Sequence, residues 1–376
     1  MAIHFINARI LRNHAIKKGE LWVSDGKISG SLSRVDSVID LQGKTIVPGF
    51  IDLQINGGFG IDFTGNPEKV GTVAAQLGKY GVTSFLATVI SSTPKYYHDK
   101  LPLLLPQLGS AHGAELLGFH LEGPCFNPRQ AKAHKEELMR SCNEFFSPNE
   151  CYSNMTAVKI VTLAPEVAGA DKWIEWLVQR GIVVSAGHSE STSVEMQHAL
   201  DKGVKMVTHL YNAMIPFEHR SPGIIGTVLT NPNVFYSVIC DGVHVDPMAI
   251  RMAWYAQPKG FVLVSDGMAA LGLVDGLYSL GDREVMVHHG VARVVDSGVL
   301  AGATTGMDRL LRNFCEYTGA SLIDACEAAS MKPAKLLGIY PRKGSLEVGA
   351  DADLVILDDD IQVVSTYVRG NLTYSS

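Results

Sequence analysis

The chain has 376 residues, of which 46% are hydrophobic and 19% charged, and its formal net charge at pH 7 is −6. This length allows more than one minimal domain and a large core, and the composition is that of an ordinary globular protein, which excludes a disordered chain. The small negative charge, without blocks of like charge, disfavours nucleic acid or an anionic membrane surface as a partner.

The first residues of the chain do not resemble a secretion signal. Residues 1–10 lack the charged start, apolar core and cleavage site of a signal peptide, and no apolar run approaches the ~18 residues of a membrane span. The six cysteines are scattered without a Cys-x-x-Cys pair, which indicates reduced thiols and not a disulfide frame. We therefore expect a cytoplasmic protein.

Both ends of the chain predict short strands. Residues 1–47 alternate strand and turn patterns without a helical period, and residues 340–376 show the same alternation. Two strand-rich ends around a long alternating middle predict one small β-sandwich domain assembled from both termini. The catalytic domain is then expected over residues 48–339.

The middle of the chain alternates strand, turn and helix patterns. Eight apolar stretches predict strands, at residues 50–54, 84–89, 116–121, 158–163, 182–186, 205–208, 235–239 and 261–264. Amphipathic helices are predicted at residues 68–79, 171–179, 192–201, 247–255, 307–317 and 321–329. Eight strands close a parallel barrel, so we expect an α/β fold of the (β/α)8 TIM-type metallo-hydrolase class, with a β-hairpin insert near residues 278–295.

Polar side chains follow several of the predicted strands. Glu122 ends the third strand, His188 the fifth, His209 the sixth and Asp266 the eighth. Catalytic zinc usually takes three protein ligands and leaves one position for a water, whose pKa falls toward ~7. Because barrel strands deliver their carboxyl ends to one rim, Glu122, His188 and His209 predict a site for one divalent metal, with Zn²⁺ as the expected ion. Asp266 is expected to move a proton between water and the leaving group.

Two amides follow the first strand, at Gln54 and Asn56. Amide oxygens are poor ligands for such a cation, so we expect these side chains to act through water or through hydrogen bonds. The fourth strand ends without a lysine that could bridge two ions, which favours one metal over two. Taken singly, each residue has a simpler interpretation, because a lone histidine is often structural and a carboxylate often caps a turn.

Seven motifs carry a resemblance to a known family. They are PGFIDLQING at 48–57, HLEGP at 120–124, LAPE at 163–166, VSAGHS at 184–189, THLYNAM at 208–214, DGVH at 241–244 and VSDG at 264–267. Over essentially its whole length the chain resembles the amidohydrolase superfamily and, within it, the N-acetylglucosamine-6-phosphate deacetylases. The resemblance implies a zinc-dependent barrel, usually a homodimer, that removes acetate from the 2-acetamido group of an amino sugar 6-phosphate.

The resemblance also implies roles for single residues. It places the metal ligands on Glu122, His188 and His209, the acid/base on Asp266, and a catalytic contact to the substrate amide on His134. The residues that would contact the sugar phosphate are Ala133, His134, Asn212, Ala213, Arg220, Asp241, His244, Leu300, Ala301 and Gly302. Arg220 is implied to reach into the site of the neighbouring subunit, and a phosphate favours such a guanidinium fork.

Other functions stay open at this point. Asp266 is followed by Gly267 and Met268, where the best-known members of the family have small residues and threonine. The segment at 271–276 resembles the branch that acts on N-acetylgalactosamine 6-phosphate, so the sugar epimer is undecided although N-acetylglucosamine 6-phosphate is favoured. A cyclic-amide amidohydrolase is disfavoured by the two amides after the first strand and by the missing lysine. A non-catalytic barrel that only binds a sugar phosphate is the remaining alternative.

Overall fold

A parallel barrel forms the centre of the protein in the computed structural model, which describes residues 2–376. Its strands, β1 to β8, are Phe50–Ile55, Val82–Ile90, Glu115–Glu122, Val158–Leu163, Val183–Ala186, Met206–Val207, Phe235–Val238 and Phe261–Leu263. Each strand pairs in parallel with the next one along the chain. The predicted (β/α)8 barrel is therefore confirmed.

The barrel closes just beyond β8. The backbone N–H of Asp266 donates to the carbonyl oxygen of Gln54 at 2.8 Å, and that of Asn56 donates to Gly267 at 2.7 Å. These bonds join the ends of β1 and β8 at the carboxyl rim. The backbone that carries Asp266 is thus held in the barrel wall and not in a free loop.

The barrel strands are buried on both faces. Every residue of β1, β2 and β3 is buried, as expected for parallel strands covered by helices outside and by packed side chains inside. The interior is filled by an apolar cluster that includes Leu53, Leu86, Ile160, Met206 and Val262. The interior of the barrel is thus a packed core and not a pore.

The helices lie between and after the barrel strands. They are Val70–Leu77, Pro94–Lys100, Pro148–Tyr152, Ala170–Val178, Ser193–Asp201, Gly223–Leu229, Pro247–Ala256, Met307–Thr318, Leu322–Ala329 and Met331–Leu336. Short 3-10 turns span Pro67–Lys69, Gly78–Tyr80, Leu101–Leu103, Pro128–Gln130, Glu136–Leu138 and Cys142–Glu144. The helix predicted at 68–79 is α-helical over Val70–Leu77 and continues as a 3-10 turn over Gly78–Tyr80. The helical segment ends at Gly81, whose φ of 76° suits glycine.

A second sheet is built from both ends of the chain. Its strands are Ala2–Arg12, Ala15–Ser24, Lys27–Ser29, Ser37–Asp40, Thr45–Pro48, Leu354–Leu357, Val363–Val368 and Asn371–Ser375. The two ends join where Thr45–Pro48 pairs antiparallel with Leu354–Leu357. The small β domain formed by both termini is confirmed, whereas the domain limits at residues 47/48 and 339/340 stay a prediction.

A buried ion cluster connects the two sheets. The Lys343 ammonium is 2.6 Å from a carboxylate oxygen of Asp353, 3.1 Å from one of Glu115 and 3.2 Å from one of Asp351. Glu115 begins β3, whereas the two aspartates precede Leu354–Leu357 of the terminal sheet. Removing one member of such a cluster leaves buried charge without a partner, which is costly.

A small antiparallel sheet follows β8, in the region predicted as a hairpin insert. Its strands are Gly276–Leu280, Arg283–His288 and Val291–Val294. Arg283 donates to the carbonyl oxygen of His134 at 3.3 Å, so the insert contacts the loop after β3. Two further short strands, Gly57–Gly58 and Ile61–Asp62, pair after β1. Within residues 2–376, no helix combines the length and the apolar character that a bilayer crossing requires.

Candidate active site

A cavity of about 320 Å³ opens at the carboxyl rim of the barrel. Most of the predicted site residues line it, namely Asn56, Glu122, Ala133, His134, His188, His209, Asn212, Ala213, His244, Asp266, Leu300, Ala301 and Gly302. The loops after several barrel strands therefore converge on one space, as the strand-end pattern predicts. Gln54, Asp241 and Arg220 do not line this cavity.

Three potential metal ligands meet at the cavity floor. The Nε2 atom of His209 lies 3.0 Å from Oε1 of Glu122 and 3.2 Å from Nε2 of His188, and His188 Nε2 lies 3.3 Å from the same Glu122 oxygen. A tetrahedral ion with ligands at ~2.0–2.1 Å separates its ligand atoms by roughly 3.3 Å. The three atoms thus have the spacing and the chemical types that a divalent metal requires.

The His188 imidazole is held in an orientation that suits ligation, whereas the His209 ring is buried without such a contact at Nδ1 within residues 2–376. His188 donates from Nδ1 to the carbonyl oxygen of Gln130 at 2.8 Å, which leaves its Nε2 lone pair directed at the cluster. The ring of Phe126 stacks on His188 with a centroid separation of 4.2 Å. His209 Nδ1 is buried and has no hydrogen-bond partner in the described residues. The residues present therefore fit a bound metal ion.

The backbone at this rim is unusual. His188, His209 and Asp266 have φ values of 49°, 34° and 48°, in the left-handed region that non-glycine residues seldom adopt. Such strain persists only where the surrounding structure imposes it, and here each residue directly follows a buried barrel strand or its continuation. The barrel thus forces three functional side chains inward at a cost in backbone energy.

His134 is close to the same cluster but differs from the two histidines above. Glu122, His134 and His188 each offer a ligand atom within 4.8 Å of the others, but His134 Nε2 is 3.9 Å from the Glu122 carboxylate. The backbone N–H of Ser91 donates to His134 Nδ1 at 3.3 Å. The hydroxyl of Ser91 lies 2.9 Å from the same nitrogen. A neutral ring that accepts the Ser91 N–H at Nδ1 carries its proton on Nε2, and in this tautomer His134 presents a donor to the cavity. The geometry favours His209 over His134 as the third ligand.

Asp266 faces the metal cluster from the end of β8. One of its carboxylate oxygens accepts a hydrogen bond of 2.8 Å from Nδ2 of Asn56. The other amide, Gln54, donates from Nε2 to Oε1 of Glu122 at 3.0 Å. Both amides after β1 therefore hold carboxylates through hydrogen bonds.

The protein environment moves the pKa values of the site carboxyls apart. Burial raises the pKa of Asp266 to about 7, and the charge of Glu122 adds to the rise. Burial also acts to raise the pKa of Glu122, yet hydrogen bonds to His188 and His209 hold it well below its usual value. Two carboxyls with separated pKa values are suited to different tasks, one to hold a cation and one to exchange a proton.

The pKa values of the site histidines are shifted as well. Burial lowers the pKa of His134 to about 3 and also lowers that of His188. For His209, burial acts to lower the pKa, but the hydrogen bond to Glu122 raises it above the ordinary value. His134 is therefore neutral near pH 7.

The residues predicted to hold a sugar phosphate are only partly brought together. Asn212 and Ala213 line the cavity, and the side-chain nitrogen of Asn212 is buried without a partner in the described residues. His244 lines it too, but its Nδ1 contacts Asp241 at 2.6 Å and its Nε2 contacts the carbonyl oxygen of Ala301 at 2.7 Å. Arg220 is 81% exposed and lies outside the cavity of its own chain.

Several residues that support the site were not singled out from the sequence. Ser91, at the end of β2, contacts both His134 and the backbone of Glu122. His120 is buried below Glu122, where its Nε2 is 2.6 Å from the hydroxyl of Thr162. His120 and Glu122 are two positions apart on β3 and therefore share a face, a signal that strand periodicity contains.

Comparisons with known proteins agree with this geometry. The model of the Amidohydrolase family matches residues 45–373. An N-acetylglucosamine-6-phosphate deacetylase of Bos taurus is 43% identical, with 99% of this chain and 95% of that protein covered. An N-acetylgalactosamine-6-phosphate deacetylase of Escherichia coli O157:H7 is 33% identical, with 98% of this chain and 99% of that protein covered.

A solved structure supports the same assignment. The crystal structure of N-acetylglucosamine-6-phosphate deacetylase from Thermotoga maritima superposes with a TM-score of 0.88 at 32% identity, covering 99% of this chain and 100% of that one. The similarity extends over the barrel and the terminal sheet alike, since nearly the whole chain is matched. The chain therefore belongs to the Amidohydrolase family and, within it, to the N-acetylglucosamine-6-phosphate deacetylases.

Proposed function

We propose that this protein hydrolyses the acetamide of N-acetylglucosamine 6-phosphate, giving glucosamine 6-phosphate and acetate. The observation that carries the proposal is the convergence of one carboxylate and two imidazoles, at separations of 3.0–3.3 Å, opposite a buried carboxyl. This arrangement serves hydrolysis of an unactivated amide, which needs both charge stabilisation at the carbonyl and proton transfer to nitrogen.

We assign the metal to Glu122, His188 and His209, with Zn²⁺ as the ion. A carboxylate and two imidazoles are a ligand set that zinc accepts, and a catalytic site leaves a further position open. When bound, the ion would polarise the amide carbonyl and acidify a water. Gln54 orients the carboxylate ligand, because its Nε2 donates to Glu122 at 3.0 Å.

Asp266 is the acid/base of the proposed reaction. Its carboxylate accepts a proton from the attacking water and returns that proton to the departing amine nitrogen, which must be protonated to leave. Asn56 fixes one carboxylate oxygen through the bond of 2.8 Å and leaves the other free for the proton. A pKa raised to about 7 by burial allows the group both to accept and to release a proton near neutral pH.

His134 stabilises the substrate carbonyl. Its Nε2–H is directed into the cavity, since Nδ1 accepts from the N–H of Ser91. As water adds to the carbonyl carbon, negative charge develops on the oxygen, and a fixed donor in a water-poor site stabilises that charge. Because His134 is neutral, it acts through its hydrogen bond and not by transferring a proton.

The sugar is proposed to lie along Leu300, Ala301 and Gly302, with its phosphate toward Asn212 and Ala213. We also propose a homodimer in which Arg220 enters the site of the partner subunit. What supports this is the 81% exposure of the Arg220 side chain and its position outside its own cavity. A cytoplasmic location is part of the proposal and rests on six free cysteines, five of them buried.

Acetate release tests the proposal. Purified protein is assayed with N-acetylglucosamine 6-phosphate and with its galactosamine epimer, before and after a chelator, and again after addition of Zn²⁺ or another divalent ion. We expect turnover of the glucosamine substrate that is lost with the chelator and restored by metal. Faster turnover of the galactosamine epimer would mean that N-acetylgalactosamine 6-phosphate is the substrate. Metal binding without acetate release would mean that the barrel binds a sugar phosphate without catalysis. Hydrolysis of a cyclic amide instead would refute the proposed reaction.

A further inference from the structure

A phosphate dianion in this cavity needs a cation, and the residues predicted to supply one do not supply it from the same chain. Arg220 lies outside the cavity. Both ring nitrogens of His244 are already engaged, at 2.6 Å by Asp241 and at 2.7 Å by the carbonyl oxygen of Ala301. The cavity also contains the carboxyls of Glu122 and Asp266, which repel a second anion.

Lys132 is the one lysine or arginine among the described residues that line the cavity. The neighbouring cations are paired, since Arg129 contacts Glu190 and Lys135 contacts Asp282. No carboxylate in residues 2–376 forms an ion pair with Lys132. The ammonium group is therefore free to bind an anion that enters the cavity.

The backbone of Lys132 gives a second indication. Its φ of 54° lies in the left-handed region, which glycine would adopt at a lower cost. A lysine in a strained conformation at a cavity wall is consistent with a role for its side chain. The same conformation is imposed on His188 and Asp266, both of which belong to the proposed reaction.

Hydrogen bonds connect the loop that carries Lys132 with the loop that carries Asn212. His188 Nδ1 donates to the carbonyl oxygen of Gln130, and the N–H of Ser189 donates to the carbonyl oxygen of Ala213 at 3.1 Å. The loops after β3, β5 and β6 are thus bonded in series. Lys132 and Asn212 line the same cavity, and the side-chain nitrogen of Asn212 is buried without a partner among the described residues.

We propose that Lys132 is a substrate-contacting residue that binds the phosphate of the amino sugar from within the same chain, together with the side-chain nitrogen of Asn212. This inference rests on the proposed function, because it assumes a phosphorylated substrate. It gives each subunit its own phosphate contact, in addition to any contact that Arg220 makes across a dimer. It also makes Lys132 a determinant of selectivity for phosphorylated over free sugars.

The test compares N-acetylglucosamine 6-phosphate with free N-acetylglucosamine on the metal-loaded, full-length protein. For Lys132→Gln we expect kcat/KM on the phosphorylated sugar to fall about tenfold or more, mainly through KM, since hydrogen bonds to charged groups are of that strength. On the free sugar, kcat/KM should not change. Lys132→Arg should retain most of the selectivity, and Lys132→Gly, which also relieves the backbone strain, should lose it.

Lys135→Gln is the matched control, because that lysine is three residues away and outside the cavity. It should behave as the wild type does. A KM for the phosphorylated sugar within twofold of wild type in Lys132→Gln, or equal losses on both sugars, would overturn the inference. If the wild type releases no acetate from either sugar, the proposed function fails. Calorimetric titration with glucosamine 6-phosphate then decides on Lys132, because weaker binding by Lys132→Gln supports the contact and unchanged binding refutes it.

Discussion

Replacement of Asp266 by asparagine keeps the shape of the side chain but removes its charge and its ability to exchange a proton. Asparagine can still accept the hydrogen bond that Asn56 donates at 2.8 Å. Loss of a general acid/base typically reduces turnover about 10²- to 10⁴-fold. We therefore expect Asp266→Asn to bind metal normally and to lose turnover by at least that range.

The same replacement should stabilise the metal-free protein at neutral and higher pH. The pKa of the Asp266 carboxyl is 3.8 in its ordinary state and about 7 in the folded protein, mainly because of burial. The folded state therefore holds the proton more tightly, and wild-type stability decreases as the pH rises from about 4 to about 7. At about 1.4 kcal/mol for each pKa unit, the buried charge costs the fully ionised protein about 4 kcal/mol, and asparagine removes this cost.

Two measurements on Asp266→Asn check this reasoning. Urea unfolding in the presence of a chelator should show a variant that is about as stable as wild type near pH 4 and more stable by up to about 4 kcal/mol near pH 8. Acetate release and metal content are measured on the metal-loaded protein, with the exposed Asp360→Asn as a control. A stability difference that does not change with pH would refute the buried-charge argument, and a kcat within tenfold of wild type would remove Asp266 from proton transfer.

Three other substitutions address the support of the site and of the fold. Phe126→Ala removes the ring stacked on the metal-site imidazole, so unfolding should become easier by about 3–5 kcal/mol, measured in urea, and metal affinity should fall about 10- to 100-fold by competition with a chelator. Lys343→Met removes the buried cation that three carboxylates share, so the free energy of unfolding should fall by about 3–5 kcal/mol. The control Lys172→Met, at an exposed lysine, should leave the free energy of unfolding almost unchanged. Asn56→Ala removes a bond that lowers the pKa of Asp266, so the acidic limb of the pH profile of kcat/KM should move to higher pH. If the acidic limb of the profile does not move, the hydrogen bond from Asn56 does not affect the pKa of Asp266.

The side chains proposed to hold the metal could be anticipated from sequence because they follow apolar strands. In a parallel barrel, all strands deliver their carboxyl ends to one rim, so Glu122, His188 and His209 had to be neighbours once eight strands were recognised. The separations of 3.0–3.3 Å between their ligand atoms also depend on the backbone conformation, which sequence patterns do not reveal. Both histidines turn inward through a left-handed backbone conformation that the barrel imposes.

Loop residues were less accessible to sequence reasoning. His134 lies in a loop without periodicity, and its role came from the family resemblance alone. Its tautomer depends on Ser91, which is 43 residues earlier in the chain and follows another strand. Lys132 looks like an ordinary surface lysine in the sequence, and only the cavity and the paired state of its neighbours make it distinctive. Such pairings arise from folding of distant segments onto each other, which local patterns cannot encode.

The sheet formed by both ends of the chain has a consequence for synthesis on the ribosome. Thr45–Pro48 pairs with Leu354–Leu357, so this edge of the nascent sheet stays open until about 300 further residues have been made. The barrel can begin to assemble during that interval, while the exposed strand edge remains a template for pairing with other chains. Synthesis of Leu354–Leu357 covers this edge, so protection from aggregation comes only after the whole barrel sequence has been translated.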